Sequence, residues 1–104
     1  MPGVERGRTY GVPALKVGGK MFACMTSHRS AEPGSLAVRM DFDRRDELIA
    51  ADSETYYLTD HYVGYPCVLV RLKRVTREAL EDLLGIGYRF VSARQKRPAR
   101  RRRR

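Results

Sequence analysis

Asp60 and His61 stand side by side in the segment Asp60-His-Tyr-Val-Gly-Tyr-Pro66. An imidazole beside a carboxylate is half of a catalytic pair. The other half, a nucleophile or a third group that orients the base, has no counterpart in the pattern. Adjacent residues in a strand or tight loop point different ways, and the nearby hydroxyls, Thr59, Tyr62 and Tyr65, are ordinary for such a loop. His61 is therefore read first as shaping its loop through a hydrogen bond. Metal chemistry has less support, because His28 and His61 are the only histidines and no carboxylate spacing joins them. Cys24 and Cys67 lie far apart in apolar runs and read as reduced, buried thiols. Gly18-Gly19 falls between two strand-like runs and opens no helix, so it is not a phosphate loop. Neither an enzyme nor a cofactor is expected.

Binding chemistry has more to work with. Tyr62 and Tyr65 can stack on bases or lie against sugar rings, whereas Tyr56 and Tyr57 read as filling a core edge with their hydroxyls toward water. Lys16, Lys20, Arg39, Arg71, Lys73 and Arg74 are expected to form a basic stripe on an open sheet face and strand end, where phosphates can lie. A solvated face balanced by acids is the plainer alternative. The net charge of +9 is unevenly placed. Eight basic residues and no acid follow Ser92: Arg94, Lys96, Arg97, Arg100, Arg101, Arg102, Arg103 and Arg104. Positions 1–93 keep 13 basic against 12 acidic residues, so the body is nearly neutral. An arginine-rich tail releases condensed counterions on DNA or RNA, with steep salt dependence and little base selectivity. A solubilising extension is the alternative.

The elements that must carry these groups follow from patterning. The chain, at 104 residues, suits one small domain with one core. No run approaches the roughly 18 apolar residues of a membrane span, and no signal segment opens the chain, so a cytoplasmic protein off the membrane is expected. Residues 1–9 lack periodicity and read as an irregular lead-in. Pro13 to Val17 and Lys20 to Met25 read as strands joined by a tight Gly18-Gly19 hairpin turn, which needs positive φ. Leu36 to Phe42 is a third strand. Asp43 is expected to cap a short helix over Arg44 to Ala51. Thr55 to Thr59 and Cys67 to Leu72 are strands flanking the 60–66 loop, which Gly64 and Pro66 shape. Thr76 caps a last helix with Leu80, Leu83, Leu84 and Gly87 on one stripe, bending or pausing near Gly85 and Gly87. A disordered tail runs over 94–104. The sum is an α+β fold: a two-layer, mostly antiparallel five-stranded sheet with helices on one face. Lys16, Arg39, Arg71 and Lys73 would show on the other.

The stretches Tyr10-Gly-Val-Pro-Ala-Leu-Lys-Val, Gly19-Lys-Met-Phe-Ala, Leu36-Ala-Val-Arg and above all Tyr57-Leu-Thr-Asp-His-Tyr-Val-Gly-Tyr-Pro-Cys-Val-Leu-Val-Arg-Leu72 resemble the MmcQ/YjbR family of small bacterial proteins. The resemblance spans about residues 2–92. It implies a secretion-chaperone-like order of helix, three strands, helix, two strands, helix. It also implies a proposed double-wing DNA-binding role. The family usually opens with a helix ahead of the Pro2-Gly-Val-Glu segment, and this sequence starts at that point. A missing first helix, with self-association to cover the short flank, is the corresponding expectation. The arginine tail is not a family hallmark.

The leading reading is thus a non-enzymatic nucleic-acid-binding protein, DNA first, with RNA through the tail. The 60–66 loop forms one wing with His61, Tyr62 and Tyr65, and the 27–34 loop forms the other with His28 and Arg29. The rival reading is a protein-binding adaptor of secretion-chaperone-like fold.

Overall fold

Gly18 and Gly19 turn the chain at φ 58° and 78°, the left-handed values that a two-residue hairpin requires. They join β2 (Val12–Val17) to β3 (Lys20–Met25). A second turn of the same kind, at Tyr10 (φ 50°) and Gly11 (φ 78°), joins β2 to β1 (Val4–Thr9). The computed structural model describes residues 1–96. In order, β4 (Ser35–Arg39), α1 (Phe42–Ala51), β5 (Tyr56–Tyr57), β6 (Cys67–Arg71) and α2 (Arg77–Lys96) complete it. All strand pairs are antiparallel, in the order β1-β2-β3-β4-β6-β5.

The α+β class holds, but the sheet has six strands, not five, and four of them precede α1. The extra one is β1, expected as an irregular lead-in. It lies at the sheet edge with its four central residues exposed, so no buried side imprints a period of two on its sequence. The third expected strand stops at Arg39, and Phe42 already belongs to α1. Asp41, not Asp43, caps that helix, its carboxylate accepting the Arg44 N–H at 2.8 Å. Thr76 does cap α2, accepting from Ala79 N–H.

One face of the sheet meets both helices. Phe22, Val38, Met40, Val68 and Val70 are fully buried there with Leu83 and Val91 of α2, and Leu48 and Ile49 of α1 pack against them. The β2–β3 register slips between Leu15 and Lys16, and the pairing passes over Phe22. That ring turns inward and meets Tyr88 edge-on at 5.9 Å. α2 is continuous through Gly85 and Gly87, where a pause was expected. Gly87 instead allows a close crossing, since a Cβ there would lie 2.9 Å from the Phe22 carbonyl and 3.1 Å from Val38 Cγ1. The helix also runs past Ser92 to Lys96, so Arg94 and Lys96 belong to the folded body. Gln95 donates to the Val17 carbonyl at 3.0 Å. The expected tail residues Arg97, Arg100, Arg101, Arg102, Arg103 and Arg104 lie outside the described residues.

The opposite face is not the open, basic surface expected. Ala14, Cys24, Ala37 and Leu69 are buried on it beneath Ala31 of the 26–34 loop and Tyr62 of the 58–66 loop. Loops therefore cover one face where helices cover the other.

Candidate functional site

The two loops meet over the sheet. His28 and His61 stack face to face, their centroids 3.6 Å apart and their planes 6° from parallel. Tyr62 stands edge-on to both rings, at 6.3 Å from His28 and 4.8 Å from His61. The Ser30 and Thr59 hydroxyls hydrogen-bond across the loops at 2.8 Å. Ser30 N–H donates to His28 Nδ1 at 3.1 Å, which makes that nitrogen an acceptor and leaves the neutral ring its proton on Nε2. Burial, then the neighbouring His61 and Arg29, hold His28 below the ordinary value of 6.5. The two expected wings are thus latched to each other.

The 58–66 loop is firmly shaped, as the sequence predicts. Tyr62 and Val63 N–H both donate to the Thr59 carbonyl, and Met40 N–H donates to the Pro66 carbonyl at 2.9 Å. Arg45, which the sequence reading passed over, reaches from α1 to the Val63 carbonyl at 2.9 Å. It is 8% exposed, bonded to Asp46, and 4.7 Å from the Phe42 ring centroid. A guanidinium so enclosed acts as an anchor for the loop.

Between these loops and the sheet lies a cleft of about 610 Å³. Cys24, Ala37 and Cys67 contribute sheet residues to it; His28, His61, Tyr62 and Tyr65 contribute rings; Tyr10 and Arg39 also line it. Tyr10 is 85% exposed and Tyr65 55% exposed. Burial, then Cys24, pushes the Cys67 thiol up to about 11, and burial raises Cys24, so both stay protonated near neutrality. Both cysteines are free and buried, as expected. They sit on β3 and β6 with β4 between, two strand spacings across and two residues along, about 12 Å apart. A disulfide needs Cα atoms within about 7 Å.

The expected basic stripe is broken up. Arg39 and Arg71 share a sheet face, but Arg39 pairs in register with Cys67 and Arg71 with Ser35, at opposite ends of β4. Four residues of strand separate those ends, about 13 Å. Arg71 is fully committed. It grips Glu32 with two hydrogen bonds, 2.8 and 2.7 Å, and donates to the Ser53 and Glu54 carbonyls. Its guanidinium lies 4.1 Å from the Tyr57 ring centroid. Arg74 pairs with Glu54 at 2.6 Å. Lys73 is exposed beyond β6, Lys20 is exposed in the β2–β3 hairpin, and Lys16 lies half-buried opposite Glu5. Tyr56 is buried on the helix face; Tyr57 is structural too, but its hydroxyl, expected toward water, accepts from Glu32 N–H and bonds the Ser35 hydroxyl.

Arg39 is different. Its guanidinium lies 5.4 Å from the Phe90 ring centroid, with that of Arg94 5.0 Å from the same ring. Burial, then Arg94, lowers its pKa from the usual guanidinium value. Among the described residues neither arginine has a carboxylate partner. Arg44 and Arg89, also without one, line a recess beside Phe90. Arg94 was expected in a disordered tail and not on the helix, and Phe90 was not singled out, because the helix was expected to end before Arg94. A helical continuation through Phe90, Arg94 and Gln95 was the available signal.

The described residues contain no group of three or more His, Cys, Asp or Glu side chains arranged to hold a metal ion. They also contain no helix long and apolar enough to cross a membrane. No curated protein and no solved structure matches the chain. The family described as YjbR matches residues 1–90, nearly the whole described fold, from the edge strand through the loop-covered cleft to Phe90. The chain belongs to the YjbR family.

Proposed function

We propose that this protein is a non-enzymatic nucleic-acid-binding protein with DNA as its first target. The observation that carries this reading is the pair of uncompensated arginines, Arg39 and Arg94, on Phe90 beside an aromatic cleft. Phosphates would lie on Arg39 and Arg94, with Arg44 and Arg89 next to them. Tyr10 and Tyr65 expose rings at the same cleft. Arg71 and Arg74 would take no phosphate, because Glu32 and Glu54 already hold them. The arginines beyond Lys96 would add non-selective attraction to DNA or RNA.

The test is a binding isotherm for a short DNA across a salt series, with the full chain and with a chain ending at Lys96. Arg39→Ala with Arg94→Ala should flatten the slope of log affinity against log salt by about one to two. If the chain ending at Lys96 shows no binding at low salt, the folded body is not the binding device.

A protein-binding adaptor is the second reading, supported by β1. Among the described residues that strand pairs with β2 alone, and its outer edge offers backbone groups for another extended segment or a second copy. A single stoichiometric protein partner that survives nuclease treatment would favour it. Light scattering that returns a dimer would favour the second copy, and a monomer at high concentration would exclude it. The buried reduced thiols suit a cytoplasmic setting.

A further inference from the structure

We infer that the cleft takes one unstacked base of a single strand, with the adjoining phosphate on Arg39. This rests on the nucleic-acid reading above and specifies the form of nucleic acid. Three observations carry it. Of the sheet residues that line the cleft, Cys24, Ala37 and Cys67 are small and leave room between the longer Met21, Met25 and Arg39 for a flat group. Rings line the rest of it: Tyr62 is edge-on to the histidine stack, and Tyr65 is tilted 46° from His61 at 6.0 Å. Charge is the third. The residues lining the cleft include Arg39 but no carboxylate, and both thiols are held neutral. A cationic occupant would be repelled, and an anionic one has Arg39 to meet among the described lining residues.

A base in a duplex is stacked on both sides and paired at its edge, so it cannot enter a concave pocket unless it is turned out. A duplex is read by an element that protrudes into a groove, and here the loops fold back onto the sheet. A base in a single strand is free to leave its neighbours and stack on an aromatic side chain, with little dependence on its identity. The cleft volume, about 610 Å³, is in the usual range for small-molecule sites and holds a base with its sugar.

The experiment uses the full chain, a fluorescent single-stranded DNA and a hairpin duplex of equal phosphate number, at one salt concentration. A single 2-aminopurine in each reports unstacking. The single strand should bind more tightly, with a change in 2-aminopurine emission. Tyr65→Ala, at an exposed side chain, should weaken single-strand binding about tenfold and leave duplex binding and the salt slope unchanged, while Tyr65→Phe keeps wild-type affinity. Equal affinity for both forms, with Tyr65→Ala silent, overturns the base slot and leaves the arginine-based reading standing. Binding to neither form overturns both.

Discussion

The two faces of the sheet are covered in different ways, one by interlocking helices and the other by loops. On the helix face, large side chains interlock and α2 approaches closely enough that Gly87 has no room for a Cβ. On the loop face the buried residues are small, the cover is two loops, and a cleft remains. Stability is expected to reside mainly on the first face and recognition on the second.

Substitutions on the helix face should have the largest effects. Leu83→Ala removes a side chain that is 2% exposed and should lower unfolding free energy by about 2–5 kcal/mol in urea titration. Gly87→Ala sets a methyl group against the Phe22 carbonyl. Its overpacking cost of about 1–3 kcal/mol should outweigh the helix-propensity gain of about 1 kcal/mol. A Gly87→Ala variant as stable as the parent would mean that α2 can lift off the sheet, and the contrast between faces would weaken.

Arg45 crosses from one region to the other. Replacing it with methionine keeps much of the bulk and strands the Val63 carbonyl, for an expected loss of about 1–3 kcal/mol. Hydrogen exchange should quicken in residues 58–66 before it does in α2. Uniform quickening would show that the loop is not a separate unit.

The smallest effect should come from the histidine stack. His28 is held below 6.5 in the fold, so the folded state favours its neutral form. The unfolded chain takes up the proton first as pH falls. Stability should therefore be level above about 6.5, decline below it, and level off once folded His28 is protonated. Protonation also removes the acceptor used by Ser30 N–H. His28→Gln should flatten that part of the urea-midpoint profile against pH. An unchanged profile would detach the latch from His28.

How far these regions can be read in advance follows from the range of the interactions. The Gly18-Gly19 turn, the Thr76 cap and the Leu83 stripe rest on neighbours within a few positions, and all three stand in the structure. The 60–66 loop was legible as a shaped segment for the same reason, although β5 ends at Tyr57 and the loop begins two residues earlier than expected. β1 was not, because an edge strand with exposed central residues carries no alternation. Nor was the fate of Arg71, whose carboxylate partner lies 39 positions away at Glu32. A basic side chain looks the same in sequence whether it is free or committed. Arg39 and Arg71 differ only through what surrounds them after folding.

Composition and local pattern were enough to fix the class, most strand and helix cores and the reduced thiols, because burial periodicity and turn chemistry act over short spans of chain. Folding alone chose which cations stay unpaired, laid His28 on His61, and roofed the second face with loops. Those outcomes depend on groups tens of residues apart meeting at a few ångströms, a distance that local pattern does not encode.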